Sequence, residues 1–104
     1  MKHLFAVTRE RGPAWDDSRS LLEQQDGWTA HAEFMDALAA EGFVLLAGPL
    51  EGTRNVLLII RAQDGNEVRE RLAEDPWTRT GQLRIAEVRE WRVRLGRELL
   101  TGSD

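Results

Sequence analysis

The chain has 104 residues, of which 41% are hydrophobic and 31% charged, and its formal net charge is −4. This length and composition are typical of a single globular domain that buries a core. The negative charge argues against a general nucleic-acid-binding protein and against docking on an anionic membrane. Cysteine is absent, which excludes disulfides and thiolate metal sites. No hydrophobic run is long enough to span a bilayer, and a cytoplasmic location is the default expectation.

The spacing of hydrophobic residues predicts the order strand, helix, strand, strand, helix, strand. A polar stretch over residues 9–18 follows the first strand, and a turn is predicted at residues 75–77. Thr29 is the predicted N-cap of the main helix, and Gly42 closes that helix. The predicted strands are 2–8, 43–50, 55–61 and 83–95. The predicted helices are 19–25, 28–42 and 64–74.

Short connections and right-handed crossovers fold this order most simply as an α+β fold, a ferredoxin-like βαββαβ sheet with both helices on one face. The last strand contains a change of phase, because Val88 and Trp91 would fall on opposite faces. A β-bulge near residues 89–90 would reconcile them. We predict one domain over residues 1–96 and a weakly specified tail over 97–104.

The two central strands are hydrophobic on both faces, over residues 43–47 and 56–60. Two helices cover only one face of the predicted sheet, so a monomer would expose a contiguous apolar patch. We therefore predict a homodimer in which the second face is buried against a second copy. The alternative is that the C-terminal tail and the long first loop cover this face.

The main helix carries a histidine on its hydrophobic stripe. His31 lies between Trp28 and Met35 at helical spacing, so its side chain is expected to face the core or a pocket. An unperturbed imidazole titrates near pH ~6.5, which makes His31 the first candidate for proton transfer. The alternative is a buried histidine whose ring nitrogens are satisfied by the backbone.

Several other site chemistries are excluded by residue types and spacings. His3 and His31 are far apart in the chain and there is no cysteine, which is unlike a zinc site. No glycine-rich phosphate loop is present, and no serine lies in the context of a nucleophile elbow. We expect neither a metal nor an organic cofactor.

Four short motifs follow one another along the chain, namely Trp28-x-x-His31, Gly48-Pro49-Leu50, Asp75-Pro76-Trp77 and, in the last strand, Trp91. Their order and spacing resemble the YciI-like (YCII-related) family of small dimeric α+β barrel proteins. The similarity extends from Leu4 to about Leu95. The resemblance implies an active site in which a helix histidine pairs with the aspartate of the Asp-Pro turn, here His31 and Asp75.

Such a pair has a direct chemical use. A carboxylate that is hydrogen-bonded to one ring nitrogen fixes the tautomer of His31 and leaves the other nitrogen to take or give a proton. Pro76 would hold the turn by fixing its own backbone angle. The alternative role for Asp75 is an Asx-turn or a helix cap.

Four further residues are candidates for the substrate-binding wall. Trp28 and Trp77 could stack on a planar substrate, although tryptophan often only fills a core. Gly48 could let a ligand approach the backbone, or it could simply end a strand. Arg79 could pair with a carboxylate, or it could be an ordinary exposed arginine. The loop over residues 9–18 is long enough to act as a lid.

These residues favour a cofactor-independent enzyme in which His31 is the general acid or base and Asp75 orients it. The expected reaction is proton abstraction next to a carbonyl, followed by isomerisation or elimination, on an unknown small molecule. This resembles the lactone isomerases and dehydrohalogenase-like proteins of related barrels, and one fold hosts many chemistries. The alternatives are a non-catalytic small-ligand-binding protein and a dimeric interaction protein.

Overall fold

The fold is an antiparallel four-stranded sheet with the larger helices on one face. The computed structural model describes residues 1–101. The strands are β1 (His3–Arg11), β2 (Val44–Pro49), β3 (Asn55–Ala62) and β4 (Leu83–Glu90). The helices are α1 (Trp28–Ala40), α2 (Gly65–Leu72), α3 (Pro76–Arg79) and α4 (Arg97–Thr101), and a 3-10 turn covers Leu22–Gln24. No helix within these residues is long and apolar enough to cross a membrane.

The strand order is β2-β3-β1-β4, and each neighbouring pair is antiparallel. This is the ferredoxin-like βαββαβ arrangement, in which a helix after the first and third strands returns the chain to the same sheet. The predicted α+β fold class is confirmed. The tail contains α4, and its last residues, 102–104, lie outside the described residues. The division into a domain over 1–96 and a separate tail stays a prediction.

The core lies between the sheet and the helices α1 and α2. Alternation along β1 turns Phe5 and Val7 toward the helices, and Ile60 and Leu58 of β3 lie opposite them. The helices contribute Leu38, Val68 and Leu72. Full burial of each such aliphatic side chain stabilises the fold by about 1.5–3 kcal/mol. This layer therefore holds α1 and α2 firmly against the sheet.

Strand β1 is longer than predicted, because residues 9–11 continue the strand instead of opening the loop. Arg9 pairs with Val56 of β3 on one side and with Ile85 of β4 on the other. As the strand between two neighbours, β1 gains ladder hydrogen bonds on both edges, which outweigh the polar character of this stretch. The side chain of Arg9 therefore follows Phe5 and Val7 onto the helix-covered face.

Helix α1 begins at Trp28, and its N-cap is Gly27, so the prediction of Thr29 as the cap was wrong. Gly27 has a φ of 77°, a conformation that a residue with a Cβ adopts only at a cost. A Cβ there would also lie 3.3 Å from Nε1 of Trp77. The helical piece predicted over 19–25 is reduced to the 3-10 turn.

Strand β4 ends at Glu90 rather than at residue 95. The predicted bulge exists, but it lies earlier in the strand: Thr8 pairs with Glu87 and Arg9 with Ile85, so Ala86 is the extra residue. The backbone of Trp91 still donates to the carbonyl of Leu4 at 2.8 Å, and the chain then leaves β1. The phase change in the sequence therefore reports a bulge and, further on, the end of the strand.

The second face of the sheet is covered only in part, by residues of the segment 91–100. Leu4 and Ile59 on this face are buried together with Val93, and Arg61 Nη2 donates to the carbonyl of Leu100 at 2.9 Å. Leu46 of β2 remains 58% exposed. Coverage by the tail, the alternative to a second copy, thus accounts for part of this face, and the homodimer stays a prediction.

Candidate active site

The fold brings His31 and Asp75 into direct contact. His31 lies in the first turns of α1, and Asp75 immediately precedes α3. The Nδ1 atom of His31 lies 2.9 Å from both carboxylate oxygens of Asp75. The Asp75 side chain is fully buried, whereas the His31 side chain is 11% exposed. The imidazole therefore lies between a buried carboxylate and accessible space.

Asp75 is also the N-cap of α3. Its Oδ1 accepts a hydrogen bond from the backbone N–H of Trp77 at 2.9 Å, and Pro76 occupies the first helical position, where a missing N–H has no cost. The capping role and the pairing with His31, two alternatives from the sequence, are thus both present in the geometry. The cap fixes the carboxylate against the imidazole.

Arg9 is a member of this cluster that the sequence reasoning missed. Its side chain is 1% exposed, and its Nη1 lies 2.9 Å from Oδ2 of Asp75. Its Nη2 donates to Oγ1 of Thr78 at 2.8 Å, and that hydroxyl donates in turn to the carbonyl of Leu72 at 2.9 Å. The available signal was the alternation of β1, in which Arg9 follows Phe5 and Val7 at inward positions.

The electrostatics keep the Asp75 carboxylate ionised. Burial acts to raise its pKa, but the hydrogen bond from His31, the charge of Arg9 and the N–H of Trp77 outweigh burial and lower the pKa below its ordinary value. An ionised carboxylate only accepts hydrogen bonds, so Nδ1 of His31 carries the hydrogen between them. The other ring nitrogen, Nε2, has no hydrogen-bond partner within residues 1–101.

Aromatic contacts fix the plane of the imidazole. The ring of His31 stacks on Trp77 with a centroid distance of 3.9 Å and an interplanar angle of 8°. Trp77 is itself held, because its Nε1 donates to the carbonyl of Asp26 at 2.8 Å. The ring of Trp28 lies 5.9 Å from each ring of this pair and is tilted by 50° to His31. The imidazole thus has little freedom to rotate away from Asp75.

A cavity of about 210 Å³ opens beside His31. Its wall is formed by Arg9, Leu22, Trp28, His31, Met35, Ala47, Gly48, Pro49, Val56, Leu58 and Leu83. A dry cavity of roughly 150 Å³ is enough to hold benzene, so this space suits a molecule of about one ring. Two of the predicted binding residues, Trp28 and Gly48, lie on this wall, and a Cβ at Gly48 would meet open space.

The other two predicted binding residues, Trp77 and Arg79, are not on the wall. Trp77 is 1% exposed, and its faces are taken by His31 and neighbouring tryptophans. Arg79 is exposed and forms an ion pair with Glu74. The suggested lid is not free either, because Trp15 is buried with its ring 5.4 Å from that of Trp77.

The comparison with known families decides the membership of this chain. The sequence model of the YCII-related domain matches residues 11–92, which include His31 and Asp75. The chain belongs to the YCII-related family. Arg9 lies just outside the matched range of the YCII-related domain. No curated protein matches the chain.

Among the solved structures that are similar to this YCII-related chain, one matches almost its whole length. It is 5-chloro-2-hydroxyhydroquinone dehydrochlorinase (TftG) from Burkholderia phenoliruptrix AC1100, in complex with 2,5-dihydroxybenzoquinone. The two share 24% sequence identity with a TM-score of 0.61, and the match covers 91% of this chain and 97% of the other. At this identity the likeness establishes the fold.

Another hollow of this YCII-related chain is lined by charged side chains but lies away from the buried His31–Asp75 pair. This larger hollow, of about 390 Å³, has His3 and Glu90 on its wall, but neither Asp75 nor His31. Within the described residues, no group of three or more His, Cys, Asp or Glu could hold a metal ion. The cavity beside His31 is therefore the candidate site.

We expect this YCII-related protein to lose stability in acid partly through Asp75. Its pKa is lower in the folded protein than the value of about 3.9 in an unfolded chain. The stability it contributes is therefore fully present above the unfolded-state pKa and is lost as the pH falls through the folded-state pKa. Urea unfolding near pH ~6 and pH ~3 should show a smaller acid-induced loss for Asp75→Asn than for wild type. Equal losses in the two proteins would contradict this assignment.

Proposed function

We propose that this protein is a cofactor-independent enzyme in which His31 and Asp75 transfer a proton on a small molecule. The observation that carries the proposal is the contact of Nδ1 with the buried carboxylate at 2.9 Å, while His31 lines the cavity. Asp75 fixes the tautomer and stabilises the imidazolium that forms when Nε2 accepts a proton. An acid–base pair of this kind can transfer a proton without a metal ion or an organic cofactor.

The proposed step begins with a C–H bond next to a carbonyl group of the substrate. Nε2 of His31 takes the proton, the electron pair of the C–H bond forms a C=C bond, and the carbonyl oxygen gains the negative charge of an enolate. In an isomerisation the imidazolium returns the proton to another atom of the substrate. In an elimination the enolate collapses, a leaving group departs with its electron pair, and the proton stays on the imidazole until water removes it.

The shape of the cavity and the fold likeness suggest a substrate class. Most of the wall is aliphatic or aromatic, which favours a molecule with a large apolar surface. The similar dehydrochlorinase is named for a chlorinated, hydroxylated ring compound, and its complex contains a dihydroxybenzoquinone. We include small oxygenated ring compounds among the candidate substrates of this chain for both reasons.

Two further features belong to this proposal. We infer a homodimer from the apolar side chains that the tail and β2 leave in water, with Leu46, Leu95 and Leu99 exposed by 58%, 89% and 83%. A contiguous exposed patch of this kind favours association between copies. A cytoplasmic location likewise remains a proposal.

We expect His31→Gln to slow proton transfer strongly, because the amide nitrogen of glutamine does not act as a base. The assay is the exchange of α-hydrogens for deuterium in D2O, followed by proton NMR over a panel of lactones, cyclic ketones and hydroxylated quinones. Removal of a general base lowers the rate by about 10²–10⁴-fold. The matched control is His3→Gln, since His3 is the other histidine and lies at the surface beside Glu90.

The outcome of this assay distinguishes the enzyme from the alternatives. Exchange that is lost in His31→Gln and kept in His3→Gln supports the proposal. Compounds that bind in the cavity without exchange by the wild type would favour a non-catalytic binding protein instead. Exchange that survives in His31→Gln would contradict the role of the imidazole.

A further inference from the structure

Arg9 lies on the cavity wall and carries a buried donor for which the described residues supply no acceptor. Its side chain lines the cavity wall and is only 1% exposed. Nη1 and Nη2 are held by Asp75 and Thr78, whereas Nε is buried without a hydrogen-bond partner in the described structure. A buried polar group without a partner destabilises the protein, and a ligand atom that accepts from it removes this cost.

The charge of the wall points to the kind of acceptor. Arg9 and His31 are the two ionisable side chains on it, and the remaining wall residues are apolar or glycine. Asp75 neutralises Arg9 from behind the wall, because it is fully buried and does not line the cavity. The wall therefore presents the donor side of this ion pair and no carboxylate, so an acceptor with negative charge would gain a charge-assisted hydrogen bond there.

We propose that Arg9 binds a negatively charged oxygen of the cavity ligand, so that the ligands are small ring compounds carrying an oxyanion. The inference rests on the proposed function in one respect: the same oxygen would be the one that gains charge when Nε2 of His31 removes a proton from the neighbouring carbon. Arg9 would then hold the enolate oxygen, as preorganised donors do where charge develops in a transition state.

The test uses three ring compounds of similar size, benzoate, benzamide and toluene. We expect the wild type to bind benzoate at least about tenfold more tightly than benzamide, and toluene no more tightly than benzamide. In Arg9→Gln the preference for benzoate should fall to about twofold or less, because the charge is gone. Titrations followed by NMR, which detects weak binding, give the three dissociation constants.

A second variant keeps the test decisive if Arg9→Gln does not fold. Arg9→Lys retains the charge beside Asp75 but lacks the Nε–H, so we expect a preference for benzoate reduced by at least about threefold from wild type. Glu74 lies next to exposed Arg79, and Arg79→Lys is the matched control that should leave the preference unchanged. A wild type that does not prefer benzoate, or a preference that persists in a folded Arg9 variant, would overturn the inference.

The preference for benzoate can be measured whether or not the protein catalyses a reaction. A preference for benzoate without deuterium exchange on any compound would remove the proposed function and leave the role of Arg9 in binding. Exchange that depends on His31, without any preference for benzoate, would remove the role of Arg9 alone.

Discussion

Replacing Asp75 by asparagine should lower the free energy of unfolding by about 3–5 kcal/mol, because it leaves the buried charge of Arg9 without its counter-ion. Arg9 and Asp75 are 1% and 0% exposed and lie 2.9 Å apart, so water cannot take the place of the lost carboxylate. Asparagine still accepts from the N–H of Trp77, which isolates the loss of charge from the loss of the helix cap. Equilibrium urea unfolding of the two proteins measures the difference.

The matched control for this variant is Asp64→Asn. Asp64 is the N-cap of α2 and accepts from the N–H of Glu67 at 2.8 Å, but it lies at the surface without a buried cation beside it. Asparagine caps nearly as well as aspartate, so this change should cost less than about 0.5 kcal/mol. Similar losses at Asp64 and Asp75 would contradict the importance of the buried Arg9–Asp75 pair.

The second large effect is expected at Trp77. Replacement by alanine should lower the free energy of unfolding by about 3–5 kcal/mol, the cost of removing a buried tryptophan. The indole is 1% exposed, stacks on His31 at 3.9 Å and donates to the carbonyl of Asp26. Trp77→Phe should recover part of this stability, because a phenyl ring restores apolar contact but not the hydrogen bond. Chemical denaturation of the three proteins measures both steps.

Trp91→Ala is the control for Trp77→Ala. Trp91 is 43% exposed, so the loss of its side chain should cost clearly less than the loss of Trp77. A loss at Trp77 no larger than that at Trp91 would mean that the aromatic stack beneath His31 does not stabilise the protein. The imidazole would then be held by Asp75 alone.

The type and order of the main elements could be predicted from periodicity. Alternation in β1 and the apolar runs of β2 and β3 distinguish strands from the helical spacing around His31. The ends of the strands were harder to predict, because they depend on pairing partners that are distant in sequence. β1 continues to Arg11 since β3 and β4 pair with it on both sides, and β4 ends where the chain turns away from Leu4.

The candidate site was predicted in part. His31 could be predicted because it is a histidine on the apolar stripe of the main helix. The resemblance to a family pointed to Asp75. Arg9 was missed because an arginine in a polar stretch usually lies in water, and its inward position follows from alternation only if the strand is known to continue. Trp77 could be identified from the sequence as an aromatic residue near Asp75. Whether it faces a ligand or His31 depends on tertiary packing.

The pairing of His31 with Asp75 can be tested through the tautomer of His31, determined by long-range 1H–15N correlation NMR. At a pH where the imidazole is neutral, we expect a hydrogen on Nδ1, bound to Asp75, and an unprotonated Nε2 on the ring that lines the cavity. In Asp75→Asn the amide side chain no longer requires a donor, so the preference for this tautomer should weaken. A wild-type protein with the hydrogen on Nε2 would contradict the proposed role of Asp75, because Asp75 would then not leave Nε2 free to accept a proton.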